Sequence, residues 1–281
     1  MATLRDNRYG KSGVRLVKVT RNGSEHTLRE WTVRVLLEGD FEKAHTLGDN
    51  SKILPTDTMK NTVYSRAKES TAESMEEFAD ELASFLLGRN PQVSACEVSI
   101  EQALWKRIMV DGKPHDHSFM HGSNEMQTAT VRIAKDGSGS AVSGLRDMVI
   151  LKTTRSSFEG FIRDELTTLK DAADRLFGTA VTAEWAYAAK PREYDDTRAK
   201  LRDAMLTTFA LHDSRSVQQT LYAMAEAALS AAPQVSTITL TMPNIHNILV
   251  DLKVFGQENA NEIFMPISDP SGYIQATVTR D

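Results

Sequence analysis

Apolar and charged residues alternate from Val14 to Arg21 and again from Thr27 to Leu37, the period of half-buried strands. Asn22-Gly23 between them is a hairpin turn signal. The period then lengthens. One helix is predicted from near Thr58, and a second carries Met75, Phe78, Leu82, Phe85 and Leu86 on one face. Ser70 and Glu73 form an expected capping box ahead of that second helix, and Gly88 is expected just past its end. Extended runs follow at Val93 to Trp105 and Gln127 to Ala134. Asp136-Gly137-Ser138-Gly139-Ser140 lacks the Lys-Ser/Thr ending of a phosphate loop and reads as a turn.

After that turn the order starts again. Met148 to Thr154 and Val181 to Ala188 read as strands. Leu201, Ala204, Met205 and Phe209 mark one helix, and Val217, Leu221, Met224, Ala225 and Ala228 mark the next. Thr237 to Met242, Asn247 to Val254 and Ile274 to Thr279 are extended again. Short stretches of sequence repeat too: Pro91-Gln92-Val93-Ser94 returns as Pro233-Gln234-Val235-Ser236, and Leu16 to Arg21 has an echo in Ile150 to Arg155. Both matches fall at equivalent points, which predicts a duplicated β-β-α-α-β-β unit, residues 9–140 and 141–281. The expected class is α+β, with antiparallel sheets and helices on one face. Open sheet edges are an aggregation hazard. Closure of the sheets into a barrel between subunits removes it, so a ring-like homo-oligomer with helices outside is expected.

The 281 residues are 41% hydrophobic and 25% charged, a globular composition, and the net charge of −5 argues against a broad nucleic-acid surface. Cys96 is the single cysteine, which excludes an intrachain disulfide and a thiolate zinc site. No apolar stretch is long enough for a bilayer, the N-terminal residues lack an apolar signal core, and the C-terminal residues lack a peroxisomal tripeptide. A cytoplasmic protein without membrane or nucleic-acid partners is the expectation.

Two stretches carry candidate chemistry. In Leu54-Pro55-Thr56-Asp57-Thr58, Pro55 keeps Leu54 extended and a helix follows, so unpaired N–H groups could face an electron-rich heterocycle or anion. The plainer reading is an ordinary N-cap. His115-Asp116-His117 with His121 and Glu125 is the rival signal, since positions 115 and 117 share a strand face as metal ligands do. The plainer reading there is a polar strand end, and His26 and His45 read as exposed.

At Arg8-Tyr9-Gly10-Lys11, Thr56-Asp57, Ser157-Phe158-Glu159-Gly160-Phe161, Asp174-Arg175, Ser216-Val217-Gln218 and Asn244-Ile245-His246 the chain resembles the urate oxidase (uricase) family. The matches are collinear and span Tyr9 to Arg280. The resemblance implies two tunnelling-fold (T-fold) units per subunit and a homotetramer enclosing a tunnel. It implies oxidation of urate by dioxygen and water to 5-hydroxyisourate and hydrogen peroxide, with no metal or organic cofactor. By motif, Lys11, Thr56 and His246 form the proton-transfer group and Asn244 holds dioxygen or water. Arg175 and Gln218 grip the purine, Phe158 stacks on it, and backbone at Thr56, Asp57 and Val217 completes the contacts. Lys11 and Thr56 of one subunit are implied to face the others from its neighbour. Ile245 replaces a basic residue frequent in the family, Asn247 replaces an aromatic, and Leu54-Pro55 replaces a pair of small residues.

These residue types suit that chemistry. Arg175 offers a planar fork of donors for an anionic edge, although a salt bridge to Asp171 or Asp174 is its plainer reading. Gln218 presents a donor beside an acceptor, and a polar first helical turn is its plainer role. Phe158 reads equally well as core packing. A lysine working as a base near pH 7 must be shifted about three units, roughly 4 kcal/mol, from its reference near 10.4. Otherwise Lys11 stays charged and polarises the Thr56 hydroxyl. Two readings from other classes stay open: a zinc-dependent T-fold enzyme of pterin or purine heterocycles, and a non-catalytic purine-binding oligomer.

Overall fold

The computed structural model describes residues 2–189, 191 and 193–280, with the backbone alone at 268. Position 281, the expected end of the second repeat, lies outside the described residues. The chain divides into two compact units, Met1–Gly144 with Arg192–Asp195, and Leu145–Pro191 with Asp196–Asp281.

In the first unit, β1 (Arg8–Asn22), β2 (Glu25–Gly39), β3 (Val93–Val110) and β4 (Lys113–Ala134) pair antiparallel in that order. Between β2 and β3 come α1 (Glu42–Thr46), α2 (Thr56–Glu69) and α3 (Met75–Arg89). Alternation on β2 decides which face is covered. Trp31, Val33, Val35 and Leu37 are fully buried and share one core with Met59, Val63, Phe78 and Leu82 of the helices. The Trp31 ring stacks on Phe78 at 5.0 Å and its Nε1–H donates to Gln102 Oε1 at 2.6 Å, so its one polar group is satisfied. Cys96 lies in this core, and burial pushes its thiol up to about 12.

The second unit repeats the plan. The strand β5 (Gly139–Lys152) runs across the boundary between the units. β6 (Phe177–Tyr187), β7 (Val235–Thr241) and β10 (Gln275–Thr279) pair antiparallel, and α4 (Tyr194–Leu211) and α5 (Val217–Ala231) supply the helices. β8 (Asn244–Leu249) pairs with β6 and with β9 (Phe264–Gly272). Trp185 is the buried tryptophan here, donating to the Tyr187 hydroxyl at 2.9 Å. Each repeated tetrapeptide makes the same bonds in its own unit. Gln92 O and Gln234 O accept from Asp40 N and Ala188 N, and Ser94 O and Ser236 O accept from Lys135 N and Arg280 N. The sequence echo therefore marks a shared structural role, which is to start the strand after the helix pair. Among the described residues no helix is long and apolar enough to cross a membrane.

Four local expectations need correction. The capping box before α3 is Ser74 with Glu77, one turn later than Ser70 and Glu73; the Ser70 hydroxyl instead accepts from Ala72 N. Gly88 lies inside α3, where nothing crowds it, and not past its end. α2 starts at Thr56, two residues before the expected start. Asn247 to Val254 is not one strand: β8 ends at Leu249 and a 3-10 turn occupies Lys253–Phe255. Apolar residues there alternate by chance, and Asn259 holds the turn through Val250 O and Ile263 O.

Two glycines of the first unit make opposite predictions. A Cβ on Gly10 would lie 1.8 Å from Val35 O, inside the β1–β2 pairing. Gly10→Ala is expected to lower stability by about 3 kcal/mol, the upper range of overpacking. Gly88→Ala, with open space and a helical backbone, is expected to raise it by about 0.5–1 kcal/mol. Urea unfolding of the two variants in parallel measures both.

Candidate active site

Lys11, Thr56 and Asp57 belong to the first unit, and a phenol ties their segments together. The Tyr9 hydroxyl accepts from Leu54 N at 2.8 Å and donates to Leu54 O at 3.2 Å, which fixes the chain just before Pro55. Pro55 takes the N-cap position with extended backbone, and α2 has no side-chain cap hydrogen bond. The ordinary N-cap reading therefore fails, and Thr56 is the first helical residue. The opening N–H groups of α2 point out of its N-terminal end without a side-chain cap. The Asp57 carboxylate turns instead to Lys60 and to Asn61 Nδ2. Lys60 holds it below the usual carboxylate range, and the charge of Lys11 adds to the effect. Lys11 pairs with Val35 at the last ladder position before the register shifts, with Gly13 at φ +67° in the bulge. The bulge ends regular pairing just beyond the Lys11 side chain.

Phe158, Arg175, Val217, Gln218, Asn244 and His246 belong to the second unit. A strap over residues 153–158 leaves β5 and is held at three points. Asp174 accepts from the Thr154 hydroxyl at 2.6 Å and from Ser156 N at 3.1 Å. Ser157 N donates to Ser214 O at 2.8 Å, and Phe158 exchanges both backbone bonds with Ala172. The strap thereby places the Phe158 ring with the Arg175 guanidinium 5.1 Å from its centroid. Phe161 stacks on the same ring at 5.0 Å and 9°. A heterocycle stacking on Phe158 competes with one of these two contacts.

Arg175 has no carboxylate within salt-bridge distance among the described residues. Asp171 pairs with Arg163 at 2.9 Å, and Asp174 is engaged with Thr154 and backbone N–H groups. The salt-bridge reading of Arg175 is thus overturned. Among the described residues its buried Nε has no partner, and burial pushes the guanidinium below its usual range. Arg175 lines a cavity of about 240 Å³ together with Asn244 and His246, and with Thr153, Asn261 and Phe264. Asn244 and His246 alternate on β8, and Asn244 Nδ2 lies 3.4 Å from His246 Nδ1. Val217 and Gln218 open α5. Ser216 caps that helix by accepting from Gln219 N at 3.1 Å; the Val217 side chain is in the core and Gln218 is exposed. Asp174 also lines this cavity, but its carboxylate is turned to Thr154 and to backbone N–H groups, and Phe158 reaches the site through its contact with Arg175.

The histidine cluster is built differently. His115 and His117 pack ring to ring at 4.5 Å, His26 lies 5.7 Å from His117, and His121 packs on Trp105. Among the described residues no group of three or more His, Cys, Asp or Glu converges as a metal site. Sequence reasoning did not assign structural roles to Tyr9, Asp174 or Ser214. Tyr9 stood two residues before Lys11, on the same strand face, and Asp174 stood beside Arg175; those positions were the available signals.

A family model described as Uricase matches residues 7–132 and 141–275. The chain belongs to the uricase family. The uricase of Dictyostelium discoideum is 40% identical over 283 residues, covering 100% of this chain and 98% of that relative. The Arthrobacter globiformis uricase is 40% identical over 279 residues, covering 99% and 90%. The crystal structure of uricase from Arthrobacter globiformis superposes with a TM-score of 0.94 at 39% identity, covering 100% of this chain and 96% of that one. The α+β T-fold expectation therefore holds, as a uricase fold.

Asp174 gives this uricase-type strap a pH dependence. Its carboxyl is held below the usual range, first by Thr154 and then by Ser156 N–H. A depressed pKa contributes stability above the unfolded value, near 3.9, that is lost as pH falls through the folded value. Hydrogen exchange at Ser156 N–H is therefore expected to lose protection as pH drops below about 4. Asp174→Ala should show the same loss, roughly tenfold, already at pH 7.

Proposed function

We propose that the chain oxidises urate with dioxygen and water, giving 5-hydroxyisourate and hydrogen peroxide without a metal or organic cofactor. Membership of the uricase family makes it an oxidoreductase acting on urate. The observation that carries the reading to these residues is Arg175: a guanidinium with no carboxylate, beside Phe158, in the wall shared with Asn244 and His246. Urate is a planar anion, and its edge supplies the acceptors that this fork lacks. Gln218 completes the grip, with backbone N–H at Val217, Thr56 and Asp57. Urate stacks on Phe158, taking over the ring face from Arg175 or Phe161.

Singlet urate and triplet dioxygen do not react directly in a spin-allowed step, so the substrate must first lose protons until it can give up one electron. Thr56, Lys11 and water share that proton, with His246 setting the local field and Asn244 holding dioxygen or water. The uncapped N–H groups of α2 support this role for Thr56, since they favour the developing negative charge. The water adds its oxygen to the oxidised ring and dioxygen leaves as hydrogen peroxide, so atoms and electrons balance.

The assembly we propose is a homotetramer in which each subunit carries two T-fold units, 9–140 and 141–281, and the sheets close edge to edge between subunits. Lys11 and Thr56 of one subunit then face Arg175 and Gln218 of its neighbour. The two-unit division and the helix-covered sheets support this arrangement.

Urate absorbance is expected to fall, with peroxide released, under air and in the presence of chelator, and to stay constant under argon. Turnover only without chelator would favour a metal enzyme instead. Arg175→Ala should weaken urate binding by about 2–5 kcal/mol, roughly 30- to 5,000-fold. Lys11→Met should alter the basic limb of the pH–rate profile; an unchanged limb removes Lys11 from proton transfer. Lys11→Met and Arg175→Ala subunits, each impaired alone, should regain activity when refolded together. A mixture that stays inactive would refute the shared site.

A further inference from the structure

Ser214 is 1% exposed and lies between α4 and α5. Its N–H donates to Arg155 O at 3.0 Å, and its carbonyl accepts from Ser157 N at 2.8 Å. Both of its backbone groups therefore engage the strap that ends in Phe158. Its hydroxyl serves the other side, donating to Ser216 O at 3.1 Å, immediately before Val217 and Gln218.

The bonds behind it have only one consistent direction. Ser216 O can only accept, so the Ser214 hydroxyl must donate to it. The Thr220 hydroxyl, 2.7 Å away, must then donate to Ser214 Oγ. That leaves Thr220 Oγ1 as acceptor, and His212 Nδ1, at 3.1 Å, has to supply the proton. Thr220 is fully buried, so no solvent proton can replace this order. The cation Lys152 closes the far end by donating to His212 O at 2.7 Å and reaching Phe209 O at 3.5 Å at the end of α4. The charged groups around the imidazole are Lys152, Asp213 and Arg155. Burial and then Lys152 push it below its usual range, which keeps it neutral with the proton on Nδ1.

We infer that Ser214, with its hydroxyl oriented by Thr220 and His212, is a positioning residue that joins the Phe158 strap to the Val217–Gln218 helix end and so sets the spacing of the purine grip. This rests on the proposed roles of Phe158, Val217 and Gln218. The groups it spaces hold the flat ring in the ground state and the transition state alike. The proton chemistry at Lys11 and Thr56 does not pass through it. Loosening it therefore weakens binding uniformly and raises KM without lowering kcat.

The variants that test this are Ser214→Ala, which keeps both backbone bonds to the strap, and Thr220→Val, which keeps the shape and removes the hydroxyl. Each is expected to raise the urate KM roughly tenfold with kcat within about twofold. The dissociation constant of urate measured under argon, where the proposed reaction has no oxidant, should rise by the same factor. Thr220→Ser restores the chain and should return both values to wild type. Unchanged KM and unchanged urate binding under argon in folded Ser214→Ala and Thr220→Val would overturn the inference. So would a fall in kcat alone, or a Thr220→Ser that behaves like Thr220→Val. If Ser214→Ala does not fold, Thr220→Val and its serine counterpart decide the matter. Wild-type protein that leaves urate untouched would sink the functional reading instead, and that outcome is separate because it needs no variant.

Discussion

A guanidinium left without a carboxylate in a half-dry wall is the constraint on which the rest of the second unit turns. Withdrawing a charge from water costs several kcal/mol when complete. Two aspartates lie within four residues of Arg175, yet neither neutralises it. Asp171 is taken by Arg163, and Asp174 by Thr154 and three neighbouring backbone positions. The ring of Phe158 returns about 0.5–1 kcal/mol, less than an ion pair in the same place could. Among the described residues the cation has no neutralising partner, which is what supports the proposal that it receives an anionic ligand.

The helix starts show the same separation of structural and chemical duties. α3 begins with a complete capping box, Ser74 with Glu77, and α5 begins with Ser216 on Gln219 N. Each cap is worth about 1 kcal/mol. α2 has three oxygen-bearing side chains in its first turn and uses none as a cap. Asp57 is drawn away by Lys60 and Asn61, and Pro55 has no side-chain acceptor to offer. The stability that a cap would add is missing where Thr56 stands, while Tyr9 keeps the preceding segment in place by its backbone.

Much of this was legible in the sequence. Period-two alternation gave β1 and β2, the apolar stripes gave α3 and α5, and the repeated Pro-Gln-Val-Ser gave the two-fold plan that the backbone bonds reproduce. What escaped were features set by tertiary context. Ser70 and Ser74 both stand three residues before an acid, and only the chain path between α2 and α3 decides which one caps. Asn247 to Val254 has enough apolar residues to read as a strand, but Asn259 captures the backbone that a ladder would need. Arg175 looked like a surface arginine beside two aspartates, and its isolation depends on where those carboxylates find other donors. Ser214 has no sequence signature, because its importance comes from touching the strap with its backbone and the helix end with its side chain.

The two groups of candidate residues are built by different means, and the function we propose fits both. Recognition of a flat anion requires donors and a ring face at fixed spacing, since a hydrogen bond weakens steeply with misalignment. Accordingly, the second unit fixes its residues with Asp174, the Ser214 chain and two-sided strand pairing. Proton transfer is more tolerant, because a water molecule can carry the proton across a gap of variable width. Lys11 stands beside a bulge and Thr56 at a helix start without a side-chain cap, next to the segment that Tyr9 holds. In the reaction we propose, fixed donors and a ring face hold the purine still while its proton and electron leave at different moments.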